Sequence, residues 1–198
     1  MKLDFSKTYR LENEKVKLLP LEISHATALA KIANDYTIWR YFFEKAYDLE
    51  SMITYVSNAI AERNEGKSYP FVIYDKQTQN YVGCTRLYDY SKDLRVIRLG
   101  HTWLGKDFQG TGINKNVKYL VFQFIFETLN LERIGLGASA DNLQSIAAMK
   151  SVGCKKEGVF RAIFPALNGE GRTDAILMSI LKSEWQNTIK QQLEHKLK

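Results

Sequence analysis

Two closely spaced glycines stand directly before a segment with helical periodicity. Gly110 and Gly112 flank Thr111, and apolar residues then recur every three or four positions from Ile113 to Ile125. The first four amides of a helix have no partner inside it, and the helix dipole places about half a positive charge at that end. Because glycine lacks the Cβ atom that would hold an anion away from the main chain, this turn is predicted to bind phosphate.

Two common phosphate motifs do not fit this stretch. In a Walker loop a lysine follows the second glycine, whereas Thr111 follows Gly110 here. A dinucleotide fingerprint would place its third glycine at position 115, which is Lys115. On the residues alone, a glycine-relieved turn from strand to helix that binds no ligand stays open as the alternative.

The apolar pattern also predicts the elements that hold the turn in place. Strands are predicted at residues 16–21, 69–74, 81–88, 96–104, 132–138, 159–164 and 175–181, and helices at residues 23–33, 49–65, from 113 onward, 145–152 and 184–197. This order is typical of a mixed α/β (α+β) fold, with a mostly antiparallel sheet of about six or seven strands and helices on both faces. We expect a single domain over residues 1–198, whose polar last helix (184–198) is peripheral and frayed.

Composition and charge narrow the function classes. Hydrophobic residues make up 45% and charged residues 25% of the chain, which argues against disorder. The net charge of +6 comes from scattered basic residues, densest at 190–198, so a nucleic acid partner is not expected. The first residues lack the apolar run of a signal peptide, and no stretch approaches the ~18 apolar residues of a membrane span. We therefore expect a cytoplasmic protein with no part in the membrane.

The two cysteines are predicted to be thiols with no metal. Cys84 and Cys154 each lie inside an apolar stretch, and no third type of ligand clusters with either. Buried thiols in a reducing cytosol are the interpretation that fits this pattern.

Further motifs accompany the turn along the chain. They are residues 100–104 (GHTWL), the turn 109–112 (QGTG) with its helix, residues 140–145 (ADNLQS) through Gly153, and residues 157–158, 172–174 and 183–185. Together they resemble the GNAT acetyltransferases, most closely the branch that acetylates ribosomal-protein N-termini, and the likeness extends from about Tyr9. It implies acetyl-CoA as cosubstrate, a primary amine as acceptor, and a monomer or homodimer.

The resemblance also implies a site. The strand before the turn splays from the next strand, pantetheine pairs with the main chain in the gap, and an amide on that edge polarises the thioester carbonyl. Ser145 lies where related enzymes place a hydroxyl near the departing sulfur, so it is predicted to be catalytic; a structural serine at a helix start is the alternative. The implied CoA-binding residues are Thr102, Trp103, Leu104, Gln109, Gly110, Thr111, Gly112, Ile113, Asn142 and Ser145.

Three positions depart from the family pattern. Asp107 stands where the family usually has Gln or Arg, so its carboxylate should point away from the phosphates or cap the helix. Arg98 and Phe164 stand where relatives carry the carboxylate that takes the amine proton. His101 is the predicted catalytic base because imidazole titrates near neutrality, and a packed, structural histidine is the alternative. The other candidates are Tyr88, Asp89, Glu170 or a chain of water molecules.

The missing carboxylates bear on the acceptor. An α-amine has a pKa of about 7.7–8.0 and is appreciably neutral at physiological pH, whereas a lysine at about 10.4 is neutral only about one time in a thousand. A site without an obvious base therefore favours a protein N-terminus or a small amine with a low pKa. The alternatives are a polyamine, aminoglycoside or amino acid acetyltransferase, and a non-catalytic module that binds acyl-CoA or RNA.

The acceptor groove is predicted between residues 36–50 and the loop 165–172. Aromatic rings beside carboxylates suit a cationic amine, although the same rings could instead pack the helices onto the sheet. The residues concerned are Trp39, Tyr41, Phe42, Phe43 and Tyr47, with the acids Glu44, Asp48 and Glu50.

Overall fold

A computed structural model describes residues 2–167 and 169–197 and shows a sheet of eight strands in the order β1-β2-β3-β4-β5-β6-β8-β7. Only β5 and β6 are parallel neighbours, so the prediction of a mixed, mostly antiparallel sheet is confirmed. The strand beyond the predicted number is β1, whose two residues are too few to show alternation. The strands are β1 (Leu11–Glu12), β2 (Val16–Pro20), β3 (Ser68–Asp75), β4 (Asn80–Ser91), β5 (Val96–Leu104), β6 (Arg133–Ser139), β7 (Lys155–Pro165) and β8 (Arg172–Leu181).

Helices cover both faces of this sheet. They are α1 (Ala26–Ile32), α2 (Leu49–Asn64), α3 (Ile113–Gln123), α4 (Leu143–Ser151), α5 (Lys182–Glu184) and α6 (Lys190–Leu197). A π-helical turn (Phe124–Thr128) extends α3, and another (Trp185–Ile189) joins α5 to α6. Short 3-10 turns occupy Ile23–His25, Tyr36–Trp39 and Lys106–Phe108.

The alternation of side chains along the strands divides the apolar core in two. On the first face, α1 and α2 pack over Val72, Cys84 and Trp103. On the second face, α3 and the C-terminal helix pack over residues such as Phe71 and Leu99. The sheet thus separates two compartments, with Ile97, Leu99 and Leu104 of β5 in the second and Trp103 in the first.

Strands β5 and β6 pair over three residues and then separate. The paired residues are Val96 with Arg133, Ile97 with Ile134, and Arg98 with Gly135. Beyond Arg98, β5 runs on to Leu104 while β6 continues beside β8 instead. We call the resulting wedge the split; its apex is at Arg98, and it opens toward the start of α3. The predicted splayed pair is therefore confirmed.

A bulge lies on β5 just beyond the apex. The register of β4 against β5 shifts between Cys84 and Arg86, so that Thr85 stands opposite two residues. His101 is one of them, and its φ of 48° is in the left-handed region that non-glycine residues seldom adopt. Such bulges re-aim side chains and occur often beside active sites.

The C-terminal segment, for which a peripheral and frayed helix is expected, is held against the second face of the sheet by buried apolar side chains. Trp185 is fully buried, stacks on Phe126 at a centroid distance of 5.9 Å, and donates from Nε1 to Glu127. Leu193, which lies in α6, is also buried. A few apolar side chains at helical spacing are enough to bind this segment to the core. Its overall composition is polar, so the average polarity does not reveal them.

Both cysteines are free thiols and both are buried, as predicted. Burial raises the pKa of the Cys154 thiol to about 12 and raises that of Cys84 further. In residues 2–167 and 169–197, no three His, Cys, Asp or Glu side chains come together as metal ligands. Among the same residues, no helix has the length and apolar character needed to cross a membrane.

Candidate active site

The glycine turn (residues 109–113) presents uncapped helix amides to open space. Gly110 and Gly112 have φ angles of 77° and 85°, where a side chain would strain the backbone. Gly112 is the N-cap of α3, and within residues 2–167 and 169–197 no side chain accepts a hydrogen bond from the first amides of that helix. A Cβ atom added at Gly110 would meet no heavy atom within 4 Å. The amides and the positive end of the helix dipole are therefore accessible to an anion.

Lys15 adds a positive charge to the glycine turn. Its Nζ donates to the carbonyl oxygen of Thr111 at 2.7 Å and lies 3.5 Å from the position of a Cβ on Gly112. The Thr111 hydroxyl in turn donates to the Phe108 carbonyl at 2.8 Å. Sequence reasoning missed Lys15, because it lies 96 residues away in the chain and belongs to no motif.

Gln109 joins three elements. Its Nε2 donates to the carbonyl oxygen of Leu104, the last residue of β5, at 3.1 Å. Its Oε1 accepts from Gln144, in the first turn of α4, at 3.1 Å. The end of β5, the glycine turn and α4 are thus brought together as the resemblance implies. Asp107 lies exposed in the short 3-10 turn and does not cap α3.

At the start of α4, a hydrogen bond joins Asn142 and Ser145. Asn142 is the N-cap of this helix, and its Oδ1 accepts from the Ser145 amide at 3.0 Å. Ser145 is half-buried, and its hydroxyl makes no hydrogen bond within the described ranges 2–167 and 169–197. The hydroxyl is therefore available to a ligand, while the oxygen of Asn142 is engaged in the fold.

The side chains of Thr102 and Trp103, near the open end of the split, point away from it into the two faces of the sheet. Trp103 donates from Nε1 to the Tyr55 hydroxyl at 3.3 Å on the first face. On the second face, the Thr102 hydroxyl lies 2.8 Å from that of Thr85 and accepts from the buried Lys118 ammonium at 3.1 Å. What remains along the split is main chain, which is the group that the resemblance assigns to pantetheine.

Burial lowers the pKa of the Lys118 ammonium to about 8. The physical cause is desolvation, which disfavours the charged form of the amine. Since Lys118 contacts Thr102 behind β5, it lies under the split on the second face.

His101 lies on the first face, close to the apex of the split. Its ring makes an edge contact with Tyr88 at 5.4 Å. Although part of the residue is exposed, the ring is desolvated within the bulge, and this effect, with the nearby Arg86, lowers its pKa to about 4. The imidazole is thus neutral at pH 7 but a weaker base than an ordinary histidine. No hydrogen bond between described residues joins His101 to Ser145, and the two lie on opposite faces of the sheet.

Two arginines flank His101 on the first face. Arg86 is buried, donates from Nη1 to Glu62 at 2.8 Å, and leaves Nε and Nη2 without partners among the described residues. Arg98 lies with its guanidinium 5.2 Å from the Tyr88 ring centroid and 3.5 Å from an Asp89 oxygen. Together these residues form one wall of the split at its apex.

An acidic cavity of about 430 Å³ lies farther along α2. Its lining includes Glu44, Asp48 and Glu50. Asp48 also caps α2 by accepting from the Ser51 amide at 2.8 Å, and this bond lowers the pKa of its carboxyl. The acids that were predicted to line an acceptor groove therefore do face a cavity.

The aromatic residues predicted for the groove separate into two kinds. Trp39 is fully buried, bonds to the Ala33 carbonyl, and packs edge-on against Phe42, so both belong to the core. Phe43 is 76% exposed and contacts Phe164 at 5.7 Å, and Tyr47 is also exposed. Of the loop 165–172, residue 168 lies outside the described residues.

A strand pair that splits beside an uncapped glycine turn defines an acetyltransferase fold, and the comparisons with known proteins agree. A family model described as the acetyltransferase (GNAT) domain matches residues 15–155. The chain belongs to the GNAT family and is an acetyltransferase that uses acetyl-CoA.

Relatives and solved structures are similar over most of the chain. An uncharacterised N-acetyltransferase, p20 of Bacillus licheniformis, is 25% identical over 88% of this chain and 97% of its own length. YdaF of Bacillus subtilis, whose name proposes a ribosomal N-acetyltransferase activity, is 30% identical over 52% of this chain and 55% of its own length. A GCN5-related N-acetyltransferase from Brucella melitensis superposes with a TM-score of 0.89 at 22% identity, covering 98% of this chain and 88% of that one. The acetyltransferase MccE, solved with acetyl-CoA and AMP, superposes with a TM-score of 0.75 at 21% identity, covering 85% and 93%.

Proposed function

We propose that this protein transfers the acetyl group of acetyl-CoA to an α-amine or to a small primary amine of low pKa, by direct attack in a ternary complex. The observation that carries the proposal is the split itself. It leads from the uncapped amides of α3 to an apex walled by Tyr88, Arg98 and His101.

The donor half fits the chemistry of acetyl-CoA. The free amides at the start of α3 and the Lys15 ammonium would hold the pyrophosphate, since both place positive charge beside open space. Main chain of Thr102, Trp103 and Leu104 would pair with pantetheine. This assignment agrees with side chains that point into the cores and leave the backbone along the split.

Acetyl transfer then requires few protein groups. The nitrogen of the neutral amine forms a bond to the acetyl carbon, the carbon–sulfur bond breaks, and the sulfur leaves with the electron pair. The nitrogen gives its extra proton to solvent water, and the thiolate takes up one proton to become the thiol of CoA. A fixed amide dipole on the β5 edge stabilises the oxyanion that develops. We assign to Ser145 the hydrogen bond that protonates or holds the thiolate, because its hydroxyl is unengaged and half-buried at the start of α4.

The acceptor side argues for an amine that is already largely neutral. Taking a lysine from its ordinary pKa of ~10.4 to the neutral form near pH 7.4 costs roughly 4 kcal/mol at 1.36 kcal/mol per unit. Here Arg98 stands where relatives carry a carboxylate, and His101, with its pKa lowered to about 4, is a weak base. A nearby cation also lowers the pKa of a bound amine, which favours its reactive form. The name of YdaF supports a ribosomal acceptor, and the low-pKa argument favours an N-terminal α-amine and admits small amines as well.

Thiol release from acetyl-CoA measures this activity directly. We expect turnover with peptides that have a free N-terminus, or with small amines of pKa below about 8.5. Peptides whose only amine is a lysine side chain should react at least about 100-fold more slowly. The Gly110→Asp variant, in which the donor half is disabled, serves as the blank. No thiol release with any acceptor, or a preference for lysine side chains, would contradict the proposal.

A further inference from the structure

Arg98 lies at the apex of the split, and one edge of its guanidinium has N–H donors that no described residue accepts. Arg98 makes one hydrogen bond to a described residue, from Nη1 to Asp89 at 3.5 Å, which is long and partly exposed. A guanidinium has a second donor edge, formed by Nε and Nη2, whose two parallel N–H groups match the two oxygens of a carboxylate.

That second edge lies over a strip of β6 without side chains. A Cβ atom added at Gly137 would lie 3.5 Å from Nη2 of Arg98, and one added at Gly135 would lie 4.0 Å from Nε. These are ordinary van der Waals distances, so the glycines let the Arg98 side chain lie close against β6 at the apex of the split.

Neighbouring side chains fix the position of the Arg98 guanidinium and leave its Nε–Nη2 edge without a counter-charge among the described residues. The Arg98 guanidinium rests 5.2 Å from the Tyr88 ring centroid, and Gly100 makes room for that ring, since a Cβ there would lie 2.9 Å from it. Behind His101, the buried Arg86 adds a second cation, with two donors that no described residue accepts. The carboxylates that oppose these cations, Glu62 and Asp89, each engage one Nη1 atom and leave the other edges free.

We propose that the acceptor carries a carboxylate close to its reactive amine, as an amino acid does, and that the Nε–Nη2 edge of Arg98 binds this carboxylate at the apex of the split. A free carboxylate raises the pKa of the neighbouring amine, and its pairing with the guanidinium offsets that effect, so the bound amine still meets the requirement for a neutral nucleophile. This inference rests on the proposed function and deepens it, because it names the chemical class of the acceptor. Arg98 is then a specificity-determining residue that touches the acceptor. A bound carboxylate would also place the amine beside the bulge at His101.

Binding of the acetylated product tests the inference without turnover. With CoA present, calorimetry would compare a set of N-acetyl amino acids with the matching primary amides, which have the same shape but no charge. We expect at least one acid to bind about tenfold or more tightly than its amide. Arg98→Gln should reduce that ratio to near one. Arg98→Lys should leave an intermediate ratio, because lysine keeps the positive charge but lacks the two parallel N–H groups.

The matched control is Lys92→Gln, which removes one positive charge from the exposed turn between β4 and β5. It should keep the wild-type ratio. Because the Arg98 side chain is 39% exposed, Arg98→Gln should fold, and unchanged CoA affinity would confirm it. The same measurement on two N-acetylated peptides, one beginning with Asp and one with Asn, identifies the source of the carboxylate. A preference for the Asp peptide indicates an acidic protein N-terminus, whereas a preference shown only by the amino acids indicates a free amino acid.

The outcomes separate the two proposals. Equal binding of acid and amide, or a preference that survives Arg98→Gln, overturns the carboxylate subsite, while thiol release with other amines would still support the proposed function. Conversely, a preference that Arg98→Gln abolishes supports the subsite even if no acceptor in the panel releases thiol.

Discussion

The two ends of the split are built from different groups. The open end presents main-chain amides of the glycine turn and the backbone of β5, with Lys15 as the added charge, and we propose that these groups bind the donor. The apex presents the side chains of Arg98, Tyr88 and His101 on β4 and β5, and we propose that these bind the acceptor. The groups at the open end depend on the path of the main chain, whereas those at the apex depend on particular side chains. The donor end therefore indicates the reaction, and the apex indicates the acceptor.

The largest effect should come from a charge placed at the open end. Gly110→Asp puts a carboxylate in open space beside the α3 amides, where it would repel a pyrophosphate and occupy its donors. We expect CoA affinity, measured by calorimetry, to fall about 100-fold or more. The strain of a left-handed aspartate is about 1 kcal/mol, so the melting temperature should fall by only a few degrees.

Gly169→Asp is the matched control for this change. Gly169 also has a left-handed φ, of 81°, and a Cβ there would likewise meet no heavy atom within 4 Å, but it lies in the loop between β7 and β8. It should retain wild-type CoA affinity. If Gly110→Asp bound CoA normally, the main-chain account of the donor end would be wrong.

The same contrast explains what could be predicted from the sequence. The glycine turn, the amphipathic α3 and the strand before it are local patterns, so their place and their likeness to a family could be predicted from consecutive residues. The split followed from that likeness and is confirmed. Lys15 could not be found, because its contact with Thr111 depends on how β2 is packed beside α3.

The apex was harder to predict for a physical reason. Arg98 appeared in the sequence only as a missing carboxylate, since its place at the apex depends on Gly135 and Gly137, which lie on another strand. His101 was expected to titrate like an ordinary histidine, and only its position in a bulge beside Arg86 explains the lowered pKa. Likewise, the packed C-terminal helix depends on Trp185 reaching the far end of α3.

A substitution at the start of α4 should lower the turnover rate without changing the affinity for CoA. In Ser145→Ala the amide that bonds to Asn142 is kept, so the helix cap and the CoA affinity should stay as they are. If the hydroxyl assists departure of the sulfur, kcat should fall about 10- to 100-fold. Ser151→Ala, at the other end of the same helix, removes a hydroxyl that bonds to the Ala148 carbonyl and should leave kcat unchanged. Full turnover in Ser145→Ala would reject its catalytic part.

A smaller effect should sharpen the account of the open end. Lys15→Gln removes the one side-chain cation that bonds to the glycine turn among the described residues, and we expect CoA affinity to fall about fivefold. The loss should shrink as salt is added, because the charge is only partly buried. Lys17→Gln, two residues along β2, changes the same net charge and should not alter affinity. Equal losses in both variants would mean that only the overall charge matters.

The smallest expected effect concerns the apex, and its sign follows from the lowered pKa of His101. Between its ordinary pKa near 6.5 and about 4, the unfolded chain binds a proton at this ring and the folded chain does not. Stability is therefore lost as the pH falls through this window, and His101→Gln should lose less than the wild type over the same range. Denaturant unfolding at pH 6.5, 5 and 4 measures the difference, with the exposed His195→Gln as a control that should follow the wild type. His25, whose pKa burial also lowers, contributes equally to all three proteins. Parallel curves for His101→Gln and the wild type would show that the ring is solvated, and the apex would then lack the desolvated wall that distinguishes it from the open end.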